Sequence, residues 1–145
     1  MTDARPSTTL AGLWKTAALA YLVYGIVYLG GAWLEMTPER LSSFEGRAIP
    51  WWSYFIIGAL FTLGMPALLL RQIRWLGGLL GVATAGKALY LIWTQGRYLA
   101  ADEPVSIYNW FFALVAIATS IALLRAVVAS GPANSDSSNQ AEVSA

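Results

Sequence analysis

The 145-residue sequence contains neither cysteine nor histidine. Without thiols, disulfide frameworks, thiolate metal sites and thiol redox chemistry are excluded. Without imidazoles, histidine-ligated haem, most transition-metal centres and the usual neutral-pH proton shuttle are excluded as well. Charge is also scarce, at 12% of residues, where a soluble domain carries about a quarter. The net charge is +1 and the nine basic residues are scattered, so there is no nucleic-acid footprint. None of the long apolar stretches contains a carboxylate, which leaves general acid–base catalysis without paired groups inside the protein. Nothing in the composition calls for a cofactor.

Apolar sequence fills the space that charge leaves. Hydrophobic residues make up 57% of the chain, and the mean hydropathy is +0.56. They fall into four blocks, 16–34, 51–70, 75–95 and 105–124, each about the length that crosses a bilayer as a helix. The expected fold is therefore an all-α integral membrane protein, a four-helix transmembrane bundle in contact with lipid. A polar N-terminal tail over 1–15 precedes the membrane domain of 16–128. A polar, aperiodic C-terminal tail over 129–145 reads as disordered. The first block is too long for a signal-peptide core and lacks a small-residue cleavage site, so it reads as a span.

Orientation follows from the short loops. Arg5, Lys15, Arg71, Arg74 and Arg125 fall on one side, and Arg40, Arg47 and Arg97 on the other. The positive-inside rule then makes both termini cytoplasmic in a multi-pass protein of the cell membrane. Trp33, Trp51, Trp52, Tyr54, Trp93, Tyr98, Tyr108 and Trp110 are expected at the outer interface, with Trp14 and Trp75 at the inner one. Pro66 predicts a bend near Thr62 in the second span. The link Arg71-Gln72-Ile73-Arg74 is so short that the second and third spans are expected to be packed neighbours.

The third span carries Gly77, Gly81 and Ala85 at intervals of four, with Gly78 and Gly86 on the adjoining stripe. Small residues at this spacing let helix backbones approach closely, so all five read as helix-packing positions. In the fourth span Asn109, Ala113, Ala116 and Ser120 mark an inward side. In the first, Tyr21, Tyr24 and Tyr28 share one face.

Lys87 stands alone in the third span, roughly 3 Å from its centre. An ammonium at that depth costs about 2.5–3.5 kcal/mol and marks a functional-site hypothesis whose partner has to be found. The hollow it would serve is expected to be lined by Lys87, Thr84 and Tyr90, with Tyr21, Tyr24 and Tyr28 opposite. Side chains lean toward the helix N-terminus, which directs Lys87 across the midplane toward the cytoplasmic side. Glu35 is the nearest acid, yet Lys87 lies about 12 Å below the outer end of its own helix by helical rise. The missing counter-charge therefore points to a bound anion or to another subunit.

In size and span count the chain resembles the small multidrug-resistance transporters, and in layout the four-helix DoxX-like proteins. The transporters place a glutamate inside the first helix, where this chain has only Ala, Leu, Val, Tyr and Gly, so the resemblance carries no activity over. The expected function is a non-enzymatic interaction or accessory subunit of a membrane complex, with a membrane-protein partner or a homo-oligomer docking on the glycine face. The alternative is a small carrier or binding protein for a hydrophobic or anionic molecule that uses the intramembrane lysine. A Schiff base at Lys87 is chemically possible, but no other residue in the chain supports it.

Overall fold

The computed structural model describes residues 9–42 and 50–131, and it is all-helical. The helices are α1 (Leu10–Leu34), α2 (Pro38–Ser42), α3 (Trp51–Leu69), α4 (Arg74–Ala100) and α5 (Ile107–Ala129). α1, α3, α4 and α5 are each long and apolar enough to cross a membrane. The expected C-terminal tail, 129–145, begins inside the structure, since Ala129 is the last residue of α5; its remainder, 132–145, lies outside the described residues, as do residues 1–8 and 43–49.

Local chemistry sets the helix ends, and several fall beyond the apolar blocks. α1 starts at Leu10, well before Thr16, because the Thr9 hydroxyl caps it by accepting from the Gly12 N–H at 3.2 Å. Lys15 is exposed on this first stretch and does not stop it. α5 is capped in the same way by Ser106, whose hydroxyl accepts from the Asn109 N–H at 3.3 Å. α4 runs on to Ala100 and α5 to Ala129, past Gln95 and Leu124. Gln72 and Asp102 take left-handed φ values of 58° and 56° in the turns after α3 and α4, reversing the chain in few residues. α3 is unbroken through Pro66.

The packing order differs from the chain order. The extensive contacts are α4 with α5, α5 with α1, and α1 with α3. α3 and α4, although joined by a four-residue link, share no comparable contact, which corrects the expectation that they pack together. A short link brings two helix ends together; it does not oblige the helices to touch along their length. α3 buries only Thr62 and Leu69, whereas α1, α4 and α5 form the core.

That core has two parts. One gathers Trp14, Ala17, Ala18 and Tyr21 of α1 with Leu69, Leu123 and Ala126, and the other joins Leu91 to Phe112 and Ala113. Trp14 is 1% exposed, so it is a core residue and not the interfacial anchor its position suggests. Its indole N–H donates to the Ser130 hydroxyl at 2.9 Å. Trp75, at 71% exposed, does face outward. Polar pegs cross the helix contacts. The Thr119 hydroxyl donates to the Ala20 carbonyl at 3.1 Å, and Ser120 donates to the Gly81 carbonyl at 2.8 Å. The Gln95 side-chain oxygen accepts from the Ser106 N–H at 2.8 Å. Such bonds join helices where lipid supplies no hydrophobic gain.

The glycines of α4 divide by face. A Cβ at Gly77 would lie 2.8 Å from the Trp14 ring and 2.9 Å from a Val127 methyl, and one at Gly81 would lie 3.0 Å from Leu124. These two glycines admit α1 and α5 of the same chain, and Ala85 is half-buried one turn on. Gly78 and Gly86 differ from the packing expectation, since a Cβ at either would meet nothing within 4 Å.

Candidate functional site

Lys87 is the central residue of α4, thirteen positions from both Arg74 and Ala100. About 20 Å of helix therefore lies on either side of it. Its amine sits 5.4 Å from the centroid of the Tyr90 ring and 6.0 Å from that of Phe112, both within the range of cation–π attraction. Among the described residues no carboxylate forms an ion pair with it. Phe112 packs with Leu91, which lies a turn beyond Lys87 toward the end of α4.

The amine borders a cavity of about 440 Å³ between α3 and α4, in the seam where these helices do not pack. α1 and α5 supply its back. Tyr28, Tyr108 and Phe112 form one aromatic wall, and Tyr54 and Phe55 of α3 form the other. Glu35 and Asn109 add polar groups, and Leu91, Leu29 and Met36 add apolar ones. Lys87 and Glu35 thus share one space. About 12 Å of helical rise separates Lys87 from Gln95, the expected outer end of its span, and the cavity spans that interval.

Stacking orders the aromatic wall. Phe112 lies 5.2 Å from Tyr24, 6.0 Å from Tyr28 and 6.0 Å from Tyr108, centroid to centroid. Tyr108 is fixed further because its hydroxyl donates to the Val27 carbonyl at 2.6 Å. It thus acts as a strut between α5 and α1. Gly31 makes room for it, since a Cβ there would overlap the phenol.

A second cavity of about 390 Å³ lies between α1 and α3. Tyr21, Tyr24, Ile57, Phe61 and Thr62 line it, and Tyr28 and Tyr54 belong to both cavities. Here the helices touch at small residues. A Cβ at Gly25 would collide with Thr62, and one at Gly58 would lie 2.6 Å from Leu29.

The six expected site residues thus separate into three sets. Lys87 and Tyr28 line the first cavity, and Tyr21, Tyr24 and Tyr28 line the second. Thr84 lines neither. It is 2% exposed, and its hydroxyl is spent on the Leu80 and Gly81 carbonyls at 2.9 and 3.0 Å. Tyr90 is 57% exposed and reaches the amine from the outer face of α4. Asn109, Tyr108, Phe112, Tyr54 and Phe55 were not among the expected lining residues. Asn109 carried a signal, as a polar residue on the small-residue side of its span; the aromatics carried none that separates a cavity wall from an interfacial belt.

No family model, no curated protein and no solved structure matches this chain.

Proposed function

We propose that this chain is a membrane-embedded binding protein for a small amphiphile whose anionic group pairs with Lys87. The observation that carries the reading is the lysine amine at the centre of α4, bordering an aromatic-walled cavity with ring faces, and no carboxylate, as its contacts among the described residues. Cation–π contacts keep an ammonium tolerable in a partly dry site, but each is worth only about 0.5–2 kcal/mol. An incoming carboxylate or phosphate would add a charge-assisted hydrogen bond in low dielectric, which is stronger. Asn109 offers an amide beside it. The cavity volume lies within the roughly 300–1,000 Å³ of ordinary ligand sites.

The positive-inside rule puts both termini in the cytoplasm of a cell-membrane protein. Glu35 and the mouth of the cavity then face the outer leaflet, so the ligand would enter from that side. Binding, or binding as one step of carriage, is the activity in this reading.

The accessory-subunit reading keeps one observation. Gly78 and Gly86 leave an open small-residue track on the outside of α4, whereas the Gly77 and Gly81 face is filled by the chain's own α1 and α5. A partner helix would have to use the outer track.

The test is equilibrium binding in phosphatidylcholine nanodiscs with decanoate, decanol and decyltrimethylammonium. Decanoate should bind saturably, and Lys87→Met should weaken it by about tenfold or more, the equivalent of one charge-assisted contact. Equal binding of the cationic and anionic probes, or an unchanged decanoate affinity in Lys87→Met, would reject the proposal.

A further inference from the structure

We infer that the second cavity is the tail site for the same ligand, and that the ligand is a single-chain fatty carboxylate or similar single-chain anion. This rests on the proposed anion site at Lys87 and adds the rest of the molecule. Tyr28 and Tyr54 line both cavities, and in this inference they form the neck through which a chain passes from one to the other. Beyond that neck the chemistry changes. The first cavity holds an amine, an amide and a carboxylate, whereas the second is walled by aromatic and aliphatic side chains and by Thr62. An amphiphile with its head at Lys87 has this seam as its apolar continuation inside the protein.

The shape of the seam selects a single chain. α1 and α3 touch at Gly58 against Leu29 and again at Gly25 against Thr62. The space between these contacts is therefore bounded on the protein side by close helix approach. From Tyr54 at the neck to Thr62 the helix rises about 12 Å. A short chain ends near the neck, while a long one passes Ile57 and reaches Phe61 and Thr62. The one extensive helix contact of α3 is with α1, and it buries only Thr62 and Leu69, so its Tyr54–Thr62 stretch can yield to admit a tail without breaking the α1–α5–α4 core.

The experiment uses the full chain in phosphatidylcholine nanodiscs with octanoate and hexadecanoate, each carrying a photoreactive diazirine at the end of its chain. Crosslinks are mapped by peptide mass spectrometry. Hexadecanoate should label the segment from Ile57 to Thr62, and octanoate should label residues at the neck end of the first cavity, Tyr28, Tyr54 and Phe55. Both signals should saturate, drop about tenfold in Lys87→Met and persist in Lys87→Arg, the change expected when a charged contact is removed and then restored. Ile57→Trp, which fills the second cavity, should cut hexadecanoate labelling of that segment about fivefold or more through steric exclusion, with octanoate labelling unchanged. If both chain lengths label the same positions while still depending on Lys87, the tail site is overturned and the anion site stands. If neither depends on Lys87, the anion site falls and the tail site falls with it.

Discussion

The Tyr108 phenol occupies the space that a side chain on Gly31 would need, and its hydroxyl donates to the Val27 carbonyl at 2.6 Å. This fit fixes the angle at which α5 meets α1 behind the first cavity, and it makes Gly31 sensitive to any added carbon. Gly31→Ala should destabilise the fold by about 1–3 kcal/mol through overpacking. Tyr108→Phe keeps the ring and loses one bond, which costs about 0.6–1.7 kcal/mol in a membrane helix contact. Reversible unfolding in mixed micelles measures both, and an Ala variant as stable as the parent would contradict the fit.

The two glycine faces of α4 should respond oppositely to the same substitution. Gly77→Leu and Gly81→Leu drive a side chain into Trp14, Val127 or Leu124 and should destabilise by about 2 kcal/mol or more. Gly78→Leu and Gly86→Leu extend into open space and should be neutral or slightly stabilising, since Gly is the poorer helix former by about 1 kcal/mol. The same unfolding assay ranks the four. If all four proved equally damaging, the outward track would be an interface between copies, and crosslinking in the bilayer would then capture an oligomer.

Lys87→Met should leave the fold as stable as the parent or raise its stability by about 1–3 kcal/mol. A charge without an ion-pair partner carries its desolvation cost uncompensated, and Met fills similar volume. Destabilisation on removing Lys87 would instead show that the amine is paired within the chain, with Glu35 across the cavity the first partner to test by a double-mutant cycle. Stability gained together with binding lost is the pattern expected of a residue kept for function.

Gln72, at φ 58°, stands where glycine is at ease and a β-branched residue is not. Gln72→Val should cost about 1–2 kcal/mol. Gln72→Gly should be near neutral, its relief of strain offset by the greater freedom of the unfolded chain. Thermal unfolding of the two variants, compared at matched detergent concentration, checks the sign of each. Asp102 has the same backbone conformation and should respond in the same way.

The helices were legible in the sequence because an apolar block of about twenty residues has few other uses. Their ends were less so. Thr9 was a capping residue in plain view, but Lys15 drew the boundary inward, and an exposed lysine on a helix is no obstacle to it. The packing order was not legible. The link from Arg71 to Arg74 constrains two chain ends, which is less than constraining two whole helices. Of the site, Lys87 was visible because a charge in hydrocarbon is costly wherever it lies. The rings around it were not, because Tyr and Trp near a helix end look alike whether they are exposed, as Trp33 and Trp93 are, or turned to a neighbouring backbone, as Tyr108 is. Thr84 shows the reverse error. Its spacing of three from Lys87 suggests a shared hollow, but it lines neither cavity and its hydroxyl has nearer acceptors in its own helix.

The bond from Trp14 to Ser130 spans 116 positions of sequence, and this sets a timetable for synthesis. α1 emerges before the other helices, yet the residues that enclose Trp14 and accept its indole hydrogen bond arrive with α4 and, finally, with the end of α5. Until then Trp14 has only its own helix, α3 and lipid as surroundings. A chain halted before residue 123 would lack Leu123, Ala126 and Val127 around it, and would leave uncovered on α1 the indole that the folded protein holds at 1% exposure. The arrival of α5 is therefore readable at α1.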